Sequence, residues 1–207
     1  DASIHDDFLD IFLDFSRAVR VGDPEDPETE MGPVASPRAI AAIRAQLEDA
    51  IERGGKIELG GQIEGNLVYP TVVINANHDM RGMQDEIFGP VVFIHSFETL
   101  EEGIRLSREN RYGLRAAIYG GDDEGQHVGR ALVGEAYCHR VSEMTFGCFG
   151  TVAVNEPRSE SWVGAFVSKA VGGYGYSGWI WETVDDRFVL KQGPKLLSIE
   201  TSTEIAG

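Results

Sequence analysis

The chain has 207 residues, which is enough for one domain or one and a half, and its 42% hydrophobic content is ordinary for a globular protein with a real core. Its formal charge of −16 comes from acidic residues scattered along the whole chain, which argues against a nucleic-acid partner. No apolar run approaches the roughly 20 residues of a membrane helix, so we expect a cytoplasmic protein with no membrane partner and no signal peptide.

The two cysteines, Cys138 and Cys148, are too few for a disulfide framework. No Cys-x-x-Cys or His-x-x-x-His spacing predicts a zinc site, and nothing near Cys148 in the sequence would favour a reactive thiolate. We therefore expect neither a metal site nor a catalytic residue within this chain. The first residue is Asp1 rather than methionine, and a helix pattern follows at once, so we expect a sequence entered partway through a longer protein.

Two amphipathic helices are predicted in the first quarter of the chain. The first has acidic residues at its start and arginines at its end, as the helix dipole favours, and covers residues 6–20. A turn-rich connector occupies residues 21–28. Ser36 and Pro37 then have the types expected for the cap and first residue of a second helix, and the glycine pair at 54–55 ends it.

The elements that follow alternate between strands and helices. Strands are predicted at 56–59, 67–74, 91–97, 116–119 and 151–154, and helices at 99–109 and 124–132. Pro70 indicates an edge or a bulge within its strand. This rhythm predicts an α/β fold with an open, largely parallel twisted sheet and flanking helices. It fails from about Gly134, and residues 195–200 read as a terminal strand with nothing after it to pack against.

One short stretch just before the 91–97 strand presents an acid and an aromatic ring together. Glu86 and Phe88 are two residues apart, which in extended chain puts both side chains on the same side of the backbone. Gly89 allows a tight bend, and Pro90 fixes the entry into the strand. The alternative interpretation of the pair is a helix-capping acid and a core phenylalanine.

A glycine-rich stretch offers a second hypothesis. Residues 173–178 match Gly-x-Gly-x-x-Gly after a strand-like run at 165–171, and Glu200 lies at about the right distance to hold a ribose. That pattern would make a free-standing nucleotide-binding module. Against it, the residues after Gly178 begin poorly as a helix.

Short landmarks follow one another along the chain at residues 21–24, 31–33, 69–71, 85–91, 110–114, 150–155, and 172–174 with 177–178. Each is weak alone, but their joint order and spacing are specific. Taken together, they resemble the C-terminal half of the aldehyde dehydrogenase superfamily.

The resemblance implies a role for the acid and the ring. Glu86 would accept hydrogen bonds from the hydroxyls of the nicotinamide ribose, and Phe88 would pack beside the nicotinamide ring of NAD or NADP. Residues 1–190 would be a partial catalytic domain. Residues 191–207 would carry an oligomerisation strand and tail that extend a neighbouring subunit's sheet, so we expect a homo-oligomer or association with a missing N-terminal half.

The resemblance also implies what this chain lacks. The family's nucleophilic cysteine, its water-activating glutamate and its dinucleotide-binding domain correspond to segments upstream of Asp1, and neither Cys138 nor Cys148 maps onto the nucleophile. The complete enzyme would oxidise an aldehyde to a carboxylic acid through a cysteine thioester, and we expect this chain alone to be inactive. The alternative is a non-catalytic partner subunit or scaffold.

Two local departures from the family pattern accompany this. Gly175 stands where the family usually has a lysine, and residues 135–149 resemble an insertion. Residues 156–171 are the candidate substrate-lining loop, without a readable preference for one aldehyde.

Overall fold

The computed structural model of the chain describes residues 1–109, 112–133, 151–155, 173–175, 178–184 and 187–192. The chain divides into two compact units, Asp1–Asn110 and Arg111–Gly207. Among the described residues, no helix has both the length and the apolar content that a bilayer span requires.

The first unit opens with a short 3-10 helix, Ala2–Ile4, followed by helix α1, His5–Ala18. Acidic residues fill the first turn of α1 and Arg17 lies in its last turn, as predicted from the dipole. Only Leu13 on this helix is buried. The apolar side chains of α1 that remain substantially exposed are Phe8, Ile11 and Phe15.

Helix α2, Pro37–Glu52, begins where the sequence predicted. The Ser36 hydroxyl accepts a hydrogen bond from the Ala39 amide at 3.2 Å, and Pro37 occupies the first turn, where a missing N–H costs nothing. After Arg53, the chain leaves the helix through Gly54 at a φ of +90°, a conformation that glycine adopts without strain. The buried face of α2 carries Ile40, Ile43, Gln46, Leu47 and Ala50.

The α2 helix covers a small sheet whose strands are short. Along the chain these are β1 (Lys56–Leu59), β2 (Ile63–Glu64), β3 (Leu67–Val68), β4 (Thr71–Ile74) and, after a one-turn helix α3 (Arg81–Gln84), β5 (Val91–Phe93). The sheet order is β1-β4-β5, with β1 antiparallel and β5 parallel to β4, while β2 and β3 form a separate hairpin.

The strand predicted over residues 67–74 is divided into β3 and β4. Pro70 lies at the division and has no N–H to donate to a ladder, so the interruption follows from the residue that had indicated an edge or a bulge. Thr71, Val72 and Val73 in β4 are all buried, as expected for a central strand covered on both faces. The strand predicted over 91–97 ends at Phe93, and α3 was not predicted.

Helix α4, Leu100–Arg108, closes the described part of the first unit. The Thr99 hydroxyl accepts from the Glu102 amide at 3.2 Å, and the Glu102 carboxylate accepts from the Glu98 amide at 2.9 Å. These two bonds satisfy backbone donors at the start of the helix, which is why a Thr-x-x-Glu spacing marks a helix start. The predicted helix over residues 99–109 is confirmed.

The second unit contains one helix and six strands among its described residues. They are β6 (Tyr112–Gly113), β7 (Arg115–Ile118), α5 (Asp122–Val133), β8 (Thr151–Val154), β9 (Gly173–Gly175), β10 (Gly178–Val184) and β11 (Arg187–Gln192). Strands β7 and β8 pair in parallel. The other four form a sheet in the order β11-β10-β9-β6, in which β9 and β10 are parallel and the other neighbours are antiparallel.

Asn155 joins the ends of β7 and β8. It sits at a φ of +53°, and its side chain both accepts from the Gly120 amide and donates to the Gly120 carbonyl, each at 3.0 Å. Its own amide donates to the Ile118 carbonyl at 2.8 Å. Asparagine adopts this left-handed conformation more readily than most residues, and its two side-chain bonds to Gly120 hold it in place.

The α/β class predicted from the sequence is confirmed, and the described sheets combine parallel with antiparallel pairs. The boundary predicted between residues 190 and 191 stays a prediction. Several predicted features lie outside the described residues, namely the strand at 195–200, the loop at 156–171, the insertion at 135–149, Cys138 and Cys148.

Candidate functional site

The candidate site is the connection between α3 and β5, residues 85–90, which we call the 85–90 segment. Its start is fixed by the Asp85 amide, which donates to the Arg81 carbonyl at 2.7 Å. At its end, the Pro90 carbonyl accepts from the Thr71 amide at 2.8 Å, and the Val91 amide donates to the Gly89 carbonyl at 2.9 Å. The segment is therefore held at both ends by backbone bonds to the framework of the first unit.

Exposure alternates along the middle of this segment. Glu86 is exposed, Ile87 is partly buried against the core, and Phe88 is 70% exposed. That alternation is the one expected for extended chain, in which residues i and i+2 share a side and residue i+1 takes the other. The alternative interpretation does not hold, since Phe88 is not a core residue and Glu86 caps none of the described helices.

Helix α2 lies beneath the segment. The Gln46 side-chain nitrogen donates to the Glu86 carbonyl at 3.2 Å. A Cβ at Gly89 would lie 2.5 Å from the Cδ1 atom of Ile43, so any larger residue would force the end of that buried side chain to shift. Gly89 lies in a bend of the backbone, as the sequence predicted, and its lack of a side chain also allows close packing on α2.

Asp49 of α2 holds the helix that precedes the segment. Its carboxylate accepts from the Arg81 amide at 2.7 Å and from the Arg53 side chain at 2.9 Å. The Arg81 side chain in turn lies 3.8 Å from the Asp85 carboxylate. The Arg53 hydrogen bond, followed by the Arg81 amide, lowers the pKa of Asp49 from its ordinary value, and the same Asp49 bond raises the pKa of Arg53.

Gln46 and Asp49 were missed by sequence reasoning. Asp49 looked like any exposed helix acid, and its partner Arg81 is 32 positions away. Gln46 carried one usable signal, because a polar residue directly beside the apolar positions of α2 would be buried with them. A buried amide needs a partner, so that position could have been marked as tied to another segment.

The arrangement of the 85–90 segment limits what it can do chemically. Among the residues the structure describes, the Glu86 carboxylate has neither a hydrogen-bond nor an ion-pair partner, so its acceptor positions are open. An ionised carboxylate is an acceptor only, which suits a ligand that carries hydroxyl groups. The exposed Phe88 ring offers an apolar face nearby along the chain. Within the same described ranges, no three His, Cys, Asp or Glu side chains are grouped so as to hold a metal ion.

The glycine-rich stretch is not a phosphate loop. A dinucleotide-binding loop lies between a strand and a helix whose N-terminus receives the phosphates. Here residues 173–175 form β9, and the chain from Gly178 forms β10, with Gly178 opposite Gly173 in a parallel pair. The hypothesis of a free-standing nucleotide module is wrong, because a strand occupies the place of the required helix.

Comparison with known proteins gives one consistent family. Residues 1–183 match the profile of the Aldehyde dehydrogenase family. The chain is 38% identical over 118 residues to sulfoacetaldehyde dehydrogenase from Neptuniibacter caesariensis. The aligned region covers 57% of this chain and 26% of that protein. It is 30% identical over 152 residues to 3-sulfolactaldehyde dehydrogenase from Priestia megaterium, covering 70% of this chain and 32% of the relative.

Solved structures agree with the sequence matches. The fold is similar to betaine aldehyde dehydrogenase from Staphylococcus aureus in complex with NAD+, with a TM-score of 0.70 and 31% identity, covering 92% of this chain and 34% of that one. The chain thus spans between about a quarter and a third of the length of these relatives. Because the profile match covers most of the chain, this protein belongs to the aldehyde dehydrogenase family.

Proposed function

We propose that this chain is a portion of an NAD(P)-dependent aldehyde dehydrogenase, in which Glu86 and Phe88 hold the nicotinamide half of the cofactor. The complete enzyme oxidises an aldehyde to a carboxylic acid through a cysteine thioester. The observation that carries the proposal is the alternating exposure of residues 86–88, with the acid and the ring turned away from the core of a family member. The two aldehyde dehydrogenases that the chain is similar to in sequence support the aldehyde chemistry, and the NAD+ complex of the Staphylococcus enzyme supports the cofactor.

The residues present fit this cofactor. The Glu86 carboxylate, which pairs with no described residue, provides two oxygens that suit the two adjacent hydroxyls of a ribose. Phe88 provides an exposed aromatic face beside which a flat heterocycle can lie. When bound, the nicotinamide ring accepts hydride from the substrate. The part of this chain is to bind and orient the ring, with the backbone bonds at both ends of the 85–90 segment limiting its movement.

The proposal assigns the remaining catalytic parts to polypeptide beyond these 207 residues. The nucleophilic thiolate, the water-activating carboxylate and the dinucleotide-binding domain would come from there, and neither Cys138 nor Cys148 is assigned a catalytic role. We therefore expect no steady NADH or NADPH formation when the purified chain is mixed with an aldehyde and NAD+ or NADP+. Steady formation of reduced cofactor would contradict this part of the proposal.

The coding DNA upstream of Asp1 distinguishes the proposal from its alternative. An in-frame extension encoding the rest of the family profile supports a portion of one enzyme, and a separate upstream gene supports a split enzyme. A stop codon with no such gene favours the alternative, a non-catalytic partner subunit or scaffold.

A titration with nicotinamide mononucleotide tests the binding role directly, because this molecule contains the ribose and the ring but needs no dinucleotide-binding domain. In the 15N-labelled chain, we expect chemical-shift changes confined to the 85–90 segment and its neighbours, with an affinity on the order of millimolar. Glu86→Gln should weaken binding by about tenfold, since charge-assisted bonds to the hydroxyls are lost.

The matched control for that titration is Glu48→Gln. Glu48 is exposed on α2, and the substitution changes the net charge by the same amount without touching the segment. Nicotinamide alone has no hydroxyls, so its binding should be insensitive to Glu86→Gln. Equal affinities for nicotinamide mononucleotide in the wild type and Glu86→Gln would refute the role of Glu86.

The proposal also includes a cytoplasmic setting and an assembled state, either a homo-oligomer or a complex with an N-terminal half. The exposed apolar side chains of α1, Phe8, Ile11 and Phe15, support association, because soluble monomers rarely expose large contiguous apolar patches. Sedimentation velocity of the purified chain should show concentration-dependent association. A single monomer boundary at high concentration would count against it.

A further inference from the structure

Gln46 is a buried polar residue whose presence packing does not explain. Its residue surface is 4% exposed, and its neighbours along the inner face of α2 are apolar. A side-chain amide offers two donors and an acceptor oxygen. Among the described residues it makes one bond, from its nitrogen to the Glu86 carbonyl at 3.2 Å, while its oxygen is buried without a partner. An apolar side chain of similar size would be the simpler occupant of this position.

Thr71, the other buried polar residue of the described part, makes an instructive contrast. Its hydroxyl donates to the Tyr69 carbonyl at 2.8 Å and accepts from the Gly61 amide at 2.9 Å, so both capacities are used within the framework. Gln46 leaves half of its capacity unused, and its one bond goes to the backbone of the candidate binding residue. The hydrogen bond to Glu86 is therefore the feature that accounts for a glutamine at this buried position.

We propose that Gln46 is a positioning residue for the cofactor-binding pair, an inference that rests on the proposed function of Glu86 and Phe88. The bond fixes the carbonyl of Glu86, and hence the peptide plane between residues 86 and 87. Because that plane sets the direction of the chain through residues 86–88, it orients the carboxylate and the ring relative to one another. Gln46 touches neither cofactor nor substrate in this account.

The position of Gln46 on α2 supports the inference. Ile43, Gln46 and Asp49 are three residues apart in turn, so they follow one face of the helix. Ile43 lies against Gly89 near the end of the 85–90 segment, and Asp49 binds the Arg81 amide at the helix before it. Between these two residues on α2, Gln46 binds the Glu86 carbonyl within the segment. Helix α2 thus supports the segment at two points and the helix before the segment at a third.

The experiment compares Gln46→Met with Leu47→Met in the 15N-labelled chain. Methionine keeps the size of the glutamine but cannot donate to the Glu86 carbonyl. Leu47 is the adjacent buried residue of α2, so its replacement perturbs the same core without removing that bond. Backbone order parameters of Glu86 and Phe88, melting temperature and affinity for nicotinamide mononucleotide are measured for both variants.

In Gln46→Met, we expect the order parameters of Glu86 and Phe88 to fall from about 0.85, typical of rigid backbone, to below about 0.6. Affinity for nicotinamide mononucleotide should fall about fivefold, equivalent to about 1 kcal/mol at RT of about 0.59 kcal/mol. The melting temperature should stay close to that of Leu47→Met, because a poorly satisfied buried amide is replaced by an apolar group. A purely structural role would lower the melting temperature and leave local order unchanged.

The outcomes separate the two proposals. Unchanged order parameters in Gln46→Met, or an equal fall in Leu47→Met, would overturn the role of Gln46. A third outcome is that order parameters fall in Gln46→Met but not in Leu47→Met, while the wild-type chain binds no nicotinamide mononucleotide. This would keep Gln46 as the residue that orders the segment and would overturn the proposed function. If Gln46→Met does not fold, Gln46→Leu takes its place in the same comparison.

Discussion

Helices α1 and α2 have nearly the same length and both carry an apolar stripe, yet the stripe of α2 is buried and most of the stripe of α1 is exposed. α2 buries Ile43 and Leu47 against the sheet of its unit, with exposures of 1% and 6%. In α1 only Leu13 is buried, while Phe15 is 74% exposed. An amphipathic pattern predicts that a helix has an apolar face, but it does not say which surface covers that face.

The difference has a functional consequence. Because α2 is covered, it can hold the 85–90 segment through Gln46 and the preceding helix α3 through Asp49. The open face of α1 has no such role in the described part of the chain, and it is the surface where association with further polypeptide is proposed.

The largest expected difference is between apolar truncations on the two helices. Ile43→Ala should reduce the free energy of unfolding by about 2–5 kcal/mol, because it leaves a cavity between α2 and the sheet. Phe15→Ala should change it by no more than about 0.5 kcal/mol, since the ring is mostly in solvent. Urea denaturation followed by circular dichroism measures both. A comparable loss for Phe15→Ala would mean that α1 is covered in solution.

A smaller effect is expected where α2 meets the candidate site. In Gly89→Ala, the added methyl group would meet the end of the Ile43 side chain, which must shift within a packed core where it is 1% exposed, so we expect a loss of about 1–3 kcal/mol. Gly32→Ala is the control, because a Cβ there would make only an ordinary contact with Pro24 at 3.7 Å. The same denaturation measurement applies, and a neutral Gly89→Ala would show that the segment is not held against α2.

The smallest effect concerns one acid on each helix. The pKa of Asp49 is lowered in the folded chain, so its contribution to stability is present above the ordinary value of 3.8 and is lost as the pH falls through the lower folded value. Asp49→Asn should therefore reduce stability at neutral pH and flatten the decline of melting temperature below pH 3.8.

Asp14→Asn on α1 is the matched control for Asp49→Asn. Asp14 pairs with Arg17 at 3.0 Å, but both side chains are more than half exposed, so little change in melting temperature is expected. Equal acid sensitivity in the two variants would contradict the special role of the Asp49 network.

The sequence was a good guide to local structure and a poor one to what joins the elements. The start of α2 was predictable because Ser36 and Pro37 act through their immediate neighbours. The division at Pro70 was indicated by the same kind of local chemistry. Helix α3 was not predicted, since four residues carry no periodicity and the acid that binds its first amide, Asp49, comes from another helix.

The candidate site likewise combines features that local sequence predicts with features that it does not. The alternation of Glu86 and Phe88 around a half-buried Ile87 followed from the geometry of extended chain. The support provided by Gln46 did not, because it crosses 40 positions of sequence and ends on a backbone carbonyl, which no side-chain pattern reveals. The packing requirement at Gly89 was likewise hidden until the position of Ile43 was known.

The most direct measurement of the central claim is a search for nuclear Overhauser effects between the Phe88 ring and nicotinamide mononucleotide bound to the chain. We predict contacts from the Phe88 ring protons to the nicotinamide ring protons, which disappear in Glu86→Gln and persist in Glu48→Gln. Bound ligand that shows no contact with Phe88, or contacts that are unaffected by Glu86→Gln, would contradict the assignment of this pair to the cofactor.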